Sequence, residues 1–393
     1  MRIRTTAAVI ISAAVAGIII VACYEKSHPI APTSGDAIDG VTQQDNPAAG
    51  LNSITVTPSS ASIQVGGTVQ LTATADPPRT TRFRWATSDQ AVASVSPSGL
   101  VTGVAAGAAT ITASAGGKVG SSTITVTTSP PPPGVFVGAG DIASCSSTGD
   151  EATATLLDNI TGTVYTLGDN AYESGTAAEF TSCYDPTWGR HKSRTLPAPG
   201  NHDYVTPGAT GYYGYFGSSA GDPAKGYYSY DIGDWHIIAL NSNIDHSTGS
   251  VQEQWLKADL AASTKSCALA YWHHPRFSSG AVHGNDTSVQ PLWQALYDAN
   301  ADVVLSGHDH DYERFAPQTP VGVADPARGV REFVVGTGGR SHYGLGSLKA
   351  NSEVFNGTTF GVLKLTLSAG SYTWEFVPVA GGTFTDSGTG NCH

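Results

Sequence analysis

Apolar and polar residues follow two different rhythms along this chain. Between about Leu51 and Thr128 the runs are short and alternating: 53–57 (SITVT), 68–74, 83–86, 92–95, 107–113 and 122–126. A period of two places every second side chain on one face of a strand. Short strands at this spacing, separated by turn residues, predict an all-β sandwich with Trp85 in its core. After residue 135 the rhythm changes. Continuous apolar runs (134–139, 163–167, 195–199, 267–271, 301–306) predict buried strands. Between them, helical periodicity is expected over 151–158, over 251–262 with Val251, Trp255, Leu256 and Leu260 on one face, and over 289–297 with Val289, Leu292, Trp293, Leu296 and Tyr297 on one face. Further strands are expected at 227–230, 235–240, 332–335, 360–367 and 371–377. Strands alternating with helices predict an α/β domain.

The two patterned regions are joined by Ser129 and the run Pro130-Pro131-Pro132-Pro133, ending at Gly134. Such a run is a semi-rigid spacer and marks 129–134 as a linker. Residues 23–50, rich in Ser, Pro, Asp, Gln and Ala, show no periodicity and read as a flexible tether. At the extreme N-terminus, Arg2 and Arg4 precede an apolar run from Ala7 to Ala22, too short and too early for a comfortable membrane span. Residues 1–22 are therefore expected to be a signal peptide. The ending Ile20-Val21-Ala22-Cys23 resembles a bacterial lipobox, which implies lipidation of Cys23 and a membrane anchor. A plain signal peptide with an incidental Cys23 is the alternative. Both place the protein outside the cytoplasm, in the bacterial cell envelope or secreted.

Export changes the meaning of the cysteines. Of five, setting Cys23 aside leaves Cys145, Cys183, Cys267 and Cys392, an even number with three connectivities. The favoured pairing is Cys145 with Cys183, both in loops near the candidate site, leaving Cys267 to tie Cys392 to a core strand. The net charge of −12 and the lack of any basic stripe exclude a nucleic-acid-coating role.

Chemistry enters where apolar runs stop. Five of the buried strands run directly into short polar motifs: Gly140-Asp141, Gly168-Asp169-Asn170-Ala171-Tyr172, Gly200-Asn201-His202-Asp203, His273-His274-Pro275 and Gly307-His308-Asp309-His310. In α/β sheets, loops beyond the carboxyl ends of strands converge on one crevice. Carboxylate, amide oxygen and imidazole without thiolate suit hard-to-borderline metal ions. Two ions roughly 3.5–4 Å apart clamp the attacking and leaving oxygens of a phosphoryl transfer.

These motifs, in this order, resemble the calcineurin-type metallophosphoesterases, and Gly168 to Tyr172 resembles the GDxxY motif of purple acid phosphatases of the tartrate-resistant type. The resemblance covers 135–393 and implies a two-sheet αββα sandwich. It implies a trivalent iron held by Asp141, Asp169, Tyr172 and His310. It implies a divalent ion (Fe, Zn or Mn) held by Asp169, Asn201, His273 and His308. It also implies His202 and His283 as substrate-facing groups of an acid phosphatase that attacks phosphomonoesters with a metal-activated hydroxide. Ala143 departs from superfamily members that carry a histidine there, which leaves Tyr172 as the local substitute. Glu313 and Arg314 read as a surface ion pair, and Asp203 as either an orienting group or a turn cap. Substrate preference is expected in the loops 173–184, 204–225 and 340–356. Upstream, ITVTP, VGGTVQLTATA, RWATSD and VASVSPSGLVTGVAAGAATITA resemble the bacterial Ig-like domain of group 2 over 51–128, which implies a spacer or adhesion module of unknown partner. A phosphodiesterase or nucleotidase would use the same metal core. A non-catalytic cell-surface binding protein would betray itself by a broken ligand set, and here every position is filled.

Overall fold

A computed structural model describes residues 50–128 and 133–393. The expected signal peptide, the lipidation site at Cys23, the tether up to residue 49 and residues 129–132 of the proline linker lie outside the described residues. The chain forms two compact units, with the division between Val126 and Thr127. Among the described residues, no helix is long and apolar enough to cross a membrane.

The first unit is all β. Its largest sheet runs Ser60–Gln64, Lys118–Thr127, Gly107–Ala115 and Arg84–Thr87, with smaller sheets of three and two strands. Alternation has the expected effect: along Lys118–Thr127 every second residue from Gly120 to Val126 is buried. Ile54, Val56, Leu71, Val101, Ile111 and Ile124 form the core. The run expected as one strand over 68–74 is two, Thr68–Gln70 and Thr72–Asp76, because Leu71 breaks pairing to bond Gly99 instead. Trp85 is half-buried at the edge of this core rather than inside it.

The second unit contains two sheets. In the first, the parallel strands Thr195–Ala198, Thr163–Leu167 and Gly134–Ala139 continue into the antiparallel strands Gly361–Ser368, Ser371–Pro378 and Ser387–Asn391. In the second, Trp235–Ala239, Cys267–Tyr271, Val303–Ser306 and Arg331–Val335 are parallel, flanked by antiparallel Tyr228–Ile232 on one side and Tyr312–Phe315 and Ser352–Asn356 on the other. The central strands are buried on both faces, so they read as continuous apolar runs. Ile237, Leu269, Leu305 and Phe333 face the core shared with the first sheet. Ile238, Ala270, Val304 and Val334 face a second core built with Leu256 of the helix Val251–Ala262 and Leu292, Trp293 and Leu296 of the helix Gln290–Asp298. The helix Gly149–Asn159 places Ala154 and Leu157 in the first core. These layers make the expected αββα sandwich.

Both favoured disulfides are present, Cys145–Cys183 and Cys267–Cys392. A further expectation fails in this unit. Glu313 is fully buried and accepts bonds from Ser279 N (2.7 Å) and Ser352 Oγ (2.5 Å). Arg314 pairs with Asp386 at 2.8 Å and with Glu353. Consecutive residues on a strand point to opposite faces, so Glu313 and Arg314 do not meet.

Candidate metal centre

The parallel strands of both sheets end at one edge, and the five polar motifs emerge there together. Three of their residues leave the strands with left-handed backbone: Asp141 (φ 61°), Asp169 (φ 48°) and His308 (φ 70°). Non-glycine residues rarely adopt this conformation, and it costs about 1–2 kcal/mol each. The turn that imposes it also aims backbone N–H groups at carboxylates. His308 N donates to Asp141 Oδ2, and His202 N to Asp169 Oδ1, both at 2.8 Å. One oxygen of each aspartate is thereby fixed and the other is left for the cluster. The preceding glycines serve the same approach: a Cβ at Gly200 would overlap Asp169, and one at Gly307 would lie 2.7 Å from Asp141 Oδ2.

Two groups of ligating atoms result. In the first, Tyr172 Oη lies 2.9 Å from Asp141 Oδ1, 2.9 Å from Asp169 Oδ2 and 3.2 Å from His310 Nε2. In the second, His273 Nε2 lies 3.3 Å from the same Asp169 Oδ2, 2.9 Å from Asn201 Oδ1 and 3.1 Å from His308 Nδ1. The structure thus brings together all seven candidate ligands, with Asp169 shared between the groups.

The chemistry of the second group calls for a cation. His273 Nδ1 bonds the Leu167 carbonyl at 2.7 Å, so that nitrogen carries a proton and Nε2 is the atom turned to the cluster. There it faces the oxygens of Asn201 and Asp169. Two oxygens this close to Nε2 require either a proton on that nitrogen or a metal ion shared with it. The electrostatics agree. Burial opposes the charged form of His273, yet the Asp169 carboxylate lifts its pKa to about 9. Burial also opposes the Asp169 anion, but His273 and His202 hold it well below the usual carboxylate range. Burial, and then His273, His274 and His283, push His308 far down, so it stays neutral and ligand-competent. Burial and the charges of Asp141 and Asp169 push the Tyr172 phenol well up. A bound cation would reverse that order.

Around this centre, His310 Nδ1 bonds Ser341 Oγ at 2.7 Å, which orients its ring. His202 is half-buried, its ring 4.5 Å from Tyr172, with Nδ1 2.7 Å from the Glu173 carbonyl and Nε2 3.9 Å from Asp169. His283 is exposed at the mouth, its ring stacked on His308 at 3.9 Å. Asp203 is buried and accepts from Gly200 N (2.9 Å) and Asn170 Nδ2 (2.9 Å), so it ties two motif loops together. Burial and the nearby Asp169 raise its pKa to about 6. His274 turns its Nδ1 to Ser242 Oγ at 2.8 Å, with its ring 4.4 Å from that of His308.

Two contributors escaped the motif reading. Asp309, fully buried, accepts from Ser278 Oγ (2.5 Å), Gly284 N (2.8 Å) and His283 N (3.2 Å), and so anchors the loop that carries His283. The segment Arg340 to Tyr343 roofs the first group: Arg340 N bonds the Asp141 carbonyl at 3.0 Å, and the Tyr343 ring stacks on His310 at 4.1 Å. Its signal was present. The strand Arg331–Val335 runs into Gly336-Thr337-Gly338-Gly339, a sixth strand ending in glycines at the same edge.

Comparisons with known proteins place this geometry. Residues 51–128 match the bacterial Ig-like domain (group 2), and residues 134–312 match the calcineurin-like phosphoesterase family. Purple acid phosphatase 15 of Arabidopsis thaliana is 27% identical over 218 residues, which is 46% of this chain and 41% of that protein. Purple acid phosphatase 22 of the same plant is 34% identical over 160 residues, 38% of this chain and 36% of that one. The chain thus spans less than half the length of these curated relatives. A purple acid phosphatase from yellow lupin (Lupinus luteus) seeds shares the fold, with a TM-score of 0.55 and 17% identity over 82% of this chain and 67% of that one.

Proposed function

We propose that this chain, an Ig-like domain followed by a calcineurin-like phosphoesterase domain of purple acid phosphatase kind, is a metal-dependent hydrolase of phosphomonoesters. The observation that carries the reading is the shared carboxylate: Asp169 Oδ2 lies 2.9 Å from Tyr172 Oη and 3.3 Å from His273 Nε2, between two complete donor sets. The family implies two metal ions. Asp141, Asp169, Tyr172 and His310 would hold one, which a phenolate donor makes trivalent iron. Asp169, Asn201, His273 and His308 would hold the other, a divalent Fe, Zn or Mn ion. Bound there, the pair supplies Lewis-acid polarisation of the phosphoryl group and lowers the pKa of water at the site.

The remaining work falls to the protein's own groups. His202 is held through Nδ1 by the Glu173 carbonyl, so Nε2 is the atom free to pass a proton to the leaving oxygen. His283, stacked on His308, adds a second imidazole at the mouth, where its cationic form offsets phosphoryl charge. The protein acts outside the cytoplasm, tethered through lipid on Cys23. Two disulfides suit an oxidising compartment, and the N-terminal sequence suits export.

The test is to purify the whole chain and measure metal content, visible spectrum and hydrolysis of paired mono- and diester substrates. Two metals per chain, preference for the monoester and a visible band lost in Tyr172→Phe are expected. Diester preference would move the assignment to phosphodiesterase. A colourless chain fully active with zinc or manganese alone would overturn the iron assignment.

A further inference from the structure

The loop that roofs the metal centre has a fixed backbone and an uncommitted cation. Gly338 N bonds the Gly140 carbonyl at 2.9 Å, Arg340 N the Asp141 carbonyl at 3.0 Å and Tyr343 N the His310 carbonyl at 2.9 Å. The Arg340 side chain makes no comparable commitment. Its guanidinium carbon lies 5.2 Å from the centre of the Tyr172 ring, and Nη2 bonds Glu173 Oε1 at 2.7 Å. Among the described residues, Glu173 is the one side chain it hydrogen-bonds. The two side chains are 27% and 58% exposed, and an ion pair this accessible to water contributes little. An incoming anion can therefore replace Glu173 at small cost.

Position decides which anion. The backbone carbonyl of Glu173 holds His202, and the Tyr172 and His202 rings are 4.5 Å apart. Arg340 therefore stands on the same lip as the histidine that serves the leaving oxygen. The facing lip, where Ala281 N bonds the Gly344 carbonyl, exposes Val282 and Leu345 and carries the imidazole of His283 but no guanidinium. A planar guanidinium matches two oxygens of a phosphate better than any other side chain.

We propose that Arg340 is a specificity-determining residue that binds a second phosphoryl group carried on the leaving group, in exchange for Glu173. The inference rests on the phosphatase reading above. The favoured substrates are then compounds with two neighbouring phosphoryl groups rather than esters of neutral alcohols.

The experiment compares inorganic pyrophosphate with p-nitrophenyl phosphate on the metal-loaded whole chain, for wild type, Arg340→Met, Arg340→Lys and Glu173→Gln. Loss of a charge-assisted contact should raise the KM for pyrophosphate in Arg340→Met by at least about tenfold, with kcat and the aryl ester little changed. Arg340→Lys should recover part of that loss, and Glu173→Gln, by freeing the guanidinium, should lower the KM for pyrophosphate. Equal losses on both substrates, or none on either, would overturn the assignment of Arg340 while leaving the phosphatase reading intact. A wild-type chain that hydrolyses neither compound would overturn the phosphatase reading and the inference together.

Discussion

In the unit that ends at Val126, the interior is Ile54, Val56, Leu71, Val101, Ile111 and Ile124, and Ser122 is the single buried polar residue among those described. In the unit that follows, Asp141, Asp169, Asp309, Asp311, Glu313 and Glu332 are buried as completely as any leucine. Burying an ionisable group is costly unless it is paired or neutralised. The first interior is what folding alone selects. The second carries groups that folding would exclude, and they concentrate where the parallel strands end. The contrast separates the part of this protein that shapes from the part that reacts.

The widest breach would come from removing a ligand. Asn201→Ala or His308→Ala should cut turnover by about a thousandfold or more, since each metal supplies several kcal/mol to the transition state. A steady-state assay with metal analysis checks this, and near-full activity in either variant would show the buried polar cluster to be structural.

A smaller effect is expected one layer out. Asp309→Ala should lower kcat/KM by about ten- to a hundredfold through loss of the His283 loop anchor, with metal content unchanged. Asp309→Asn, which keeps an acceptor, should recover part of it. If metal is lost as well, Asp309 supports the ligands rather than the loop.

Next is a pH signature peculiar to the second interior. Burial pushes the Glu332 carboxyl from 4.5 up to about 8, against bonds from Phe277 N and Arg276 N. The folded state therefore holds a proton that the unfolded state has released. Its contribution to stability is complete below about pH 4.5 and fades as pH rises to about 8. Glu332→Gln should flatten the fall in melting temperature across that window. An unchanged slope would mean that other groups set it.

The smallest effect on chemistry should come from the first interior. Ile111→Ala, at a fully buried position, should cost the Ig-like unit about 2–5 kcal/mol of stability and leave turnover untouched. A parallel loss of activity would show that the units do not divide the labour.

Legibility in the sequence followed the same division. Strands such as Gly134–Ala139, Thr163–Leu167 and Cys267–Tyr271 were visible because burial on both faces leaves an unbroken apolar run. The ligands were visible because each stands two to five residues beyond such a run. Glu313 was misread because nothing local shows that its partners are Ser279 and Ser352, far along the chain. Helix Thr210–Phe216 and strand Ser387–Asn391 were missed because aromatic and glycine-rich stretches there carry no clear period. Arg340 was legible only as the first residue of a loop expected to set substrate preference. Its neighbours Tyr172 and Glu173 are supplied by tertiary structure, not by spacing.

The left-handed turns at Asp141, Asp169 and His308 have a consequence for substitution. Glycine would occupy each of these φ values without strain, and at the two aspartates it would also delete a buried charge. At the aspartates the relief of strain comes with a loss, because glycine would leave the N–H groups of His308 and His202 without their carboxylate acceptors. Strain and ligand cluster are therefore one feature at these turns: the angle that a side chain resists is the angle that aims it at the cluster.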